Sequence, residues 1–225
     1  MLNERIRANG DEEAIVGEIT FGPFSSPLMK AIFKRFGKKA FGRSSACAEF
    51  ESFLHAIADE RSAEFVMKRV GKKPLGDCCL EIGTFHGITA IILSQFFDKV
   101  ICVSVDEMPV MKREIVDYLG IKNIAFYDAK DNKDKAAFIN AAKFDFCYQD
   151  GDHTHDTYSD FDLVKRCGRV LFHEFWPLQA PVWNLVNSLP QDEVIHAQFD
   201  CLAYWEKNPL PSGEGRVGEI GSING

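Results

Sequence analysis

Leu80-Glu81-Ile82-Gly83-Thr84-Phe85-His86-Gly87-Ile88-Thr89 joins the end of an apolar run, Cys78 to Ile82, to a helical pattern through a Gly-x-x-x-Gly turn. A strand that ends in an acid and bends through glycines straight into a helix opens a βαβ unit, whose ligand crevice lies beyond the carboxyl ends of the strands. Gly83 permits a tight bend, and Gly87 permits close approach of the chain to a ligand, whose carboxylate or ribose can meet the amides at the helix start. A dinucleotide fingerprint would carry a second glycine at position 85, where this chain has Phe85. A P-loop would end in Gly-Lys-Ser/Thr, and Gly87-Ile88-Thr89 lacks the lysine.

Outward from that turn, β-rich runs alternate with helical patterns. Strands are predicted at Cys78 to Ile82, Val100 to Val105, Ile124 to Tyr127, Phe144 to Gln149 and Val170 to Phe172. Helices are predicted at Gly87 to Phe97, Pro109 to Leu119, Lys133 to Ala142, Asp156 to Cys167 and Pro181 to Leu189. Gly120 and Gly168 follow helical stretches as left-handed caps. Val194 to Ala197 and Leu202 to Glu206 read as a closing antiparallel hairpin. This is an α/β chain with a mainly parallel sheet over 75–207. Residues 1–74 carry helical periodicity, as in Phe50, Phe53, Leu54 and Ile57, and form a helical extension that would cap the substrate region. Residues 208–225 form a Gly- and Pro-rich tail that stays mobile unless a partner orders it.

Composition narrows the classes. With 33 acidic against 26 basic residues the net charge is −7, which disfavours nucleic acid as a partner across the whole surface, because counterion release needs excess Lys and Arg. A local patch, Lys30, Lys34, Arg35, Lys38, Lys39 and Arg43 interleaved with Phe33, Phe36 and Phe41, reads as a solvated helix face or as a cationic lip. The longest apolar run, Ile88 to Phe97, is about half a membrane span, so no membrane span is expected. The charged start MLNERIRANGDEE is no secretory signal. Seven cysteines, an odd number lying mostly in apolar runs without zinc spacing, suit buried thiols in a reducing, cytoplasmic setting.

The remaining chemistry sits where strands end. Asp106 closes the second strand about 20 residues past the glycine turn, where a carboxylate accepts both ribose hydroxyls of an adenosine cofactor, with Glu107 as the register-shifted competitor. Asp128, at the end of the third strand, reads either as a contact to the adenine edge or as ordinary turn chemistry. Asp150-Gly151-Asp152-His153-Thr154-His155-Asp156 follows the fourth strand, and His173-Glu174 follows the fifth. If these strands are neighbours, Asp150, His173 and Glu174 converge, and oxygen ligands with one imidazole could hold Mg²⁺ or a softer divalent metal. His153 is placed as a general base, with helix capping by His153 and His155 as the other reading.

Leu80 to Thr89, Asp106 and the run Phe144 to Glu174 resemble class I S-adenosylmethionine-dependent methyltransferases. The resemblance is to the subgroup of macrolide-sugar O-methyltransferases and cephalosporin-hydroxylase-like proteins, whose fourth strand ends in Asp-Gly-x-His, and it covers about residues 75–207. It implies a Rossmann-like, doubly wound, mostly parallel seven-stranded sheet with a C-terminal antiparallel strand. It also implies S-adenosyl-L-methionine held by Glu81, Gly83, Thr84, Phe85 and Gly87 at its methionine end, by Asp106 at the ribose and by Asp128 near adenine. Asp150, His173 and Glu174 would be metal ligands, Asp150 and His153 the catalytic pair, and the acceptor a hydroxyl of a small molecule. This chain departs from the sugar methyltransferases, which carry two carboxylates where it has His173-Glu174. An NAD-dependent oxidoreductase and a catalytically inactive nucleoside-binding module docking a partner stay open as alternatives, and the oligomeric state, a homo-oligomer included, is left open.

Overall fold

A computed structural model describes residues 35–36, 75–85, 87–105, 110–152, 154, 156–196 and 202–207. The elements follow one another as β1 (Gly76–Ile82), α1 (Ile88–Leu93), β2 (Phe97–Ser104), α2 (Val110–Tyr118), β3 (Ile124–Asp128), α3 (Asn132–Ala141), β4 (Phe146–Gln149), α4 (Asp156–Val164), β5 (Arg169–Phe172), α5 (Ala180–Ser188), β6 (Val194–His196) and β7 (Ala203–Glu206). The sheet order is β3-β2-β1-β4-β5-β7-β6. β1 to β5 run parallel, while β7 is antiparallel to both β5 and β6. The expected mixed, mostly parallel sheet with a closing antiparallel pair is what forms. Strand order reverses between β1 and β4, which puts a ligand crevice at the carboxyl ends of those two strands.

Side chains alternate across the strands. Cys79, Cys102, Phe146, Tyr148 and Leu171 pack with Ile91, Ile92, Ile115 and Val116 under α1 and α2. Leu80, Ile82, Val103, Cys147 and Phe172 face the other layer, with Ile139, Phe161, Val164 and Val186 from α3, α4 and α5. Helices thus cover both faces, as a parallel sheet requires. At the amino edge Arg169 bonds to the carboxylate and carbonyl of Asp145 and to the carbonyl of Leu75, while Asp145 accepts from the amides of Asp77 and Cys78. That knot ties the starts of β1, β4 and β5 together.

One boundary corrects the sequence reading. The helix expected to reach Phe97 stops at Leu93, and Phe97 begins β2. Ser94 Oγ donates to the carbonyl of Ile91, and Asn123 donates to the carbonyls of Ser94 and Phe97, so side chains satisfy the carbonyls and turn the chain. Phe97 is then fully buried against Phe146, ring centroids 5.0 Å apart. Gly120 and Gly168 adopt the expected left-handed conformation. Of the N-terminal extension and its basic segment only Arg35 and Phe36 are described. Phe36 packs edge-on to Tyr118 of α2. The rest, with the tail from 208, lies outside the described residues.

Lys135 of α3 and Asp160 of α4 form an ion pair at 2.8 Å with both side chains buried. Burial pushes the Asp160 carboxyl above its usual range, and Lys135 pulls it back. Lys135→Met would leave an uncompensated buried carboxylate and is expected to cost about 3–5 kcal/mol. Urea unfolding measures it, and Lys135→Met combined with Asp160→Leu should restore most of the loss.

Candidate active site

Glu81 pairs in register with Cys102 of β2 and Tyr148 of β4, in the centre of the sheet. Its carboxyl is fully buried beside the Cys102 thiol and the Thr84 hydroxyl, and among the described residues neither oxygen has a partner of good hydrogen-bond geometry. Burial pushes it up to about 8, against the opposing pull of the adjacent Cys102 thiol and Thr84 hydroxyl, while Asp150 adds to the rise. The Thr84 hydroxyl oxygen is likewise buried, with no partner of good geometry among the described residues. Native proteins rarely leave such groups unsatisfied, since each costs about 1–3 kcal/mol, and a ligand that supplies the missing partner recovers that cost.

The glycines shape this turn. Gly83 has φ +87°, donates its amide to the carbonyl of Val103, and would place a Cβ 1.9 Å from the carbonyl oxygen of Asp150. Gly87 has φ +76° and donates to the carbonyl of Thr84. A Cβ on Gly87 would meet Lys112 at 3.2 Å and Phe126 behind it. Both glycines therefore make room for protein. Between them Phe85 adopts φ +41° with its side chain 62% exposed, an uncommon conformation for a bulky residue.

Beyond β2, Asp106 lies outside the described residues. Asp128, ending β3, accepts from Lys112 Nζ on one oxygen and from Arg113 on the other, each at 3.0 Å. Partial burial pushes its carboxyl up, but these two cations prevail and hold it below the usual carboxylate range. Lys112 is buried, its ammonium 4.8 Å from the centre of the Phe126 ring, and burial pushes its pKa down against the pull of Asp128. Neither cation figured in the sequence reading. The signal was present: Lys112 falls three and four residues before Ile115 and Val116, on the apolar stripe of α2.

At the rim, β4 and β5 are neighbours, and Asp150 and His173 meet. Asp150 Oδ1 lies 2.7 Å from His173 Nδ1, and Tyr148 donates its hydroxyl to Asp150 Oδ2 at 3.3 Å. The amide of Asp150 donates to the carbonyl of Ile82 and the amide of His173 to the carbonyl of Gln149, so both backbones are fixed to the sheet. Tyr148 was missed by reading only the strand's end. Glu174 turns away from strand geometry with φ +55°. Phe175 stacks on Trp183 at 4.7 Å, while Trp176 and Leu178 are exposed. Phe175 thus packs inward while Trp176 faces out. His153 lies outside the described residues.

The metal expected from the resemblance does not fit this arrangement. Both oxygens of Asp150 and Nδ1 of His173 are engaged with protein partners, and among the described residues no group of three acids, imidazoles or thiols could hold an ion.

No family model matches the chain, and no curated protein matches it. Solved structures do resemble it. An rRNA methylase from Streptococcus thermophilus is 15% identical, over 71% of this chain and 95% of its own, with a TM-score of 0.49. A putative caffeoyl-CoA O-methyltransferase from Staphylococcus aureus is 13% identical, over 68% and 81%, with a TM-score of 0.49. An O-methyltransferase from Bacillus cereus in complex with SAH is 14% identical, over 79% and 96%, with a TM-score of 0.47. The strand order, with antiparallel β7 between β5 and β6, is a mostly parallel sheet closed by an antiparallel strand, as the resemblance implied.

Two outcomes follow from this geometry. Between about pH 5 and 8 the unfolded chain releases the Glu81 proton while the folded chain keeps it, so this group makes stability fall as pH rises through that window. The slope is on the order of 1 kcal/mol per pH unit. Glu81→Gln should flatten it in urea unfolding curves recorded across that range. Gly83→Ala should destabilise at least twice as much as Gly120→Ala, for which about 1 kcal/mol is expected, because a Cβ at residue 120 meets nothing within 4 Å.

Proposed function

We propose that the chain is an S-adenosylmethionine-dependent methyltransferase that methylates a hydroxyl of a small molecule. The observation carrying this reading is the Glu81–Thr84 turn: three buried oxygens with no partner of good geometry among the described residues, at the reversal point of the sheet, where this fold receives its ligand. The cofactor supplies a sulfonium-bound, electrophilic methyl group. Glu81, Gly83, Thr84, Phe85 and Gly87 form the turn assigned to its methionine end, where the Glu81 carboxyl and the Thr84 hydroxyl can exchange hydrogen bonds with the ligand's polar groups. Asp106 is assigned to the ribose hydroxyls. Asp128 is assigned to the adenine end, and Lys112 and Arg113 hold its carboxylate in a set orientation.

The acceptor comes to the rim beside Asp150, and the chain's task there is to hold a hydroxyl in line with the methyl group and remove its proton. A small acceptor accords with the net charge of −7, which disfavours a polyanionic substrate. Among the described residues no helix is long and apolar enough to cross a membrane. A nicotinamide dinucleotide suits the turn less well, since the position whose bare backbone must approach a pyrophosphate carries the exposed ring of Phe85.

Calorimetry with S-adenosylmethionine or its demethylated product should give a dissociation constant in the micromolar range or tighter, weakened several-fold or more by Asp106→Ala. Absence of binding by the wild type, or preferential binding of a nicotinamide dinucleotide, would overturn the proposal.

A further inference from the structure

We infer that Lys112 is a positioning residue of the cofactor site: through Asp128, which it holds in one orientation, it makes the nucleoside end select a base that offers a hydrogen-bond donor. This role rests on the methyltransferase reading, which supplies the nucleoside, and adds to it a residue that lies outside the strand-end turns.

Lysine is almost never fully buried unless it is paired, and Lys112 is 1% exposed. It lies on the face of α2 that carries Ile115 and Val116 into the core. There its stem passes so close to the turn after β1 that a Cβ on Gly87 would lie 3.2 Å from Lys112 Cβ. The side chain then crosses the Phe126 ring, its ammonium 4.8 Å from the centre, and donates to Asp128 Oδ1 at 3.0 Å. One side chain therefore links the turn assigned to the methionine end with the carboxylate assigned to the adenine end. Its charge also reaches Glu81, which it draws toward ionisation against the effect of burial. Arg113 donates to the other oxygen of Asp128 but is half exposed. An exposed ion pair holds its partner weakly, because water screens the charge and a long side chain resists ordering. A buried ammonium packed on an aromatic face has few other positions, so the orientation of Asp128 comes chiefly from Lys112.

Asp128 itself is 48% exposed, within reach of a ligand. Each carboxylate oxygen has two lone pairs, and one cation on each leaves a second for a donor from outside. The two cations hold the carboxyl below its usual range, and an ionised carboxylate accepts hydrogen bonds but gives none. A base with an exocyclic amino group meets that demand; a base with only hydrogen there does not. Without Lys112, Oδ1 would turn to water, and the ligand would have to order the carboxylate at a cost to its own bond. A lysine that served stability alone would instead affect every ligand alike.

Calorimetry on the full chain compares S-adenosylhomocysteine with its analogue carrying hydrogen in place of the 6-amino group. It also compares adenosine with purine riboside, which differ in the same way without the amino-acid arm. We expect the wild type to prefer each amino-bearing ligand by about 10-fold or more, as for a hydrogen bond to a charged group. Lys112→Met keeps the stem and removes the donor. It should cut that preference to below about threefold while changing affinity for the amino-lacking ligands less than about threefold. An equal loss for both members of a pair, or an undiminished preference, overturns the role of Lys112. Arg113→Gln, on an exposed side chain, keeps the test decisive if Lys112→Met does not fold. It should leave the preference within about threefold of the wild type, and loss of the preference there would assign the positioning to Arg113 instead. If adenosine shows the Lys112-dependent preference but S-adenosylhomocysteine binds no tighter than adenosine, the role of Lys112 stands and the methyltransferase reading fails. If no nucleoside binds, both fail.

Discussion

The absence of one atom governs the centre of this molecule. Any residue other than glycine at 83 would drive its Cβ to 1.9 Å from the carbonyl oxygen of Asp150. Without that atom, the turn after β1 closes onto the loop after β4, and the two strands on either side of the reversal point end at one place. Everything that resembles a site depends on that closure. Glu81 and Thr84 are buried under it, Asp150 is held at its edge, and His173 is reached from the neighbouring strand through the same Asp150. The positive φ of Gly83 and the contact act together, because a side chain would be penalised by backbone conformation and by overlap alike.

Buried polar groups divide into two kinds around that closure. Lys135 and Asp160 neutralise each other between α3 and α4, and Asp160 also lies against the position a Cβ on Gly151 would take, so the pair buttresses the loop that carries Asp150. Lys112 is likewise buried but spends its charge on Asp128 and on the face of Phe126. These groups are paired within the chain. Glu81 and Thr84 differ: they adjoin only each other and the Cys102 thiol, and among the described residues their buried oxygens have no partner of good hydrogen-bond geometry.

Much of the fold was legible because strands and helices here obey their periods. β1, β3 and β5 begin and end within two residues of the apolar runs that announced them. Phe97 was misplaced because an apolar run does not show where a helix ends and a strand begins; that boundary was set by Ser94 and by the distant Asn123, a tertiary contact. The meeting of Asp150 with His173 followed from expecting β4 and β5 to be neighbours. Its chemical character did not, since acids and imidazoles at strand ends spell a metal site and a hydrogen-bonded pair with the same letters. Lys112 was passed over because lysine on an amphipathic helix is ordinarily at the surface.

Backbone strain supplies a last line of reasoning about where chemistry lies. Among the described residues only Phe85 and Glu174 hold positive φ without being glycine. Each such residue costs on the order of 1–3 kcal/mol and persists only when its surroundings fix it. Phe85 lies just past the end of β1 and Glu174 just past the end of β5, the two strands that flank β4, so the strained positions bracket Asp150 from both sides. A fold selected for stability alone would place glycine at both, as it does at Gly120 and Gly168, where only helix ends are served. Keeping a phenyl ring and a carboxylate there, at a cost borne by the rest of the sheet, is intelligible if the side chains themselves are needed at the rim: the ring beside the turn that receives the ligand, the acid beside the imidazole.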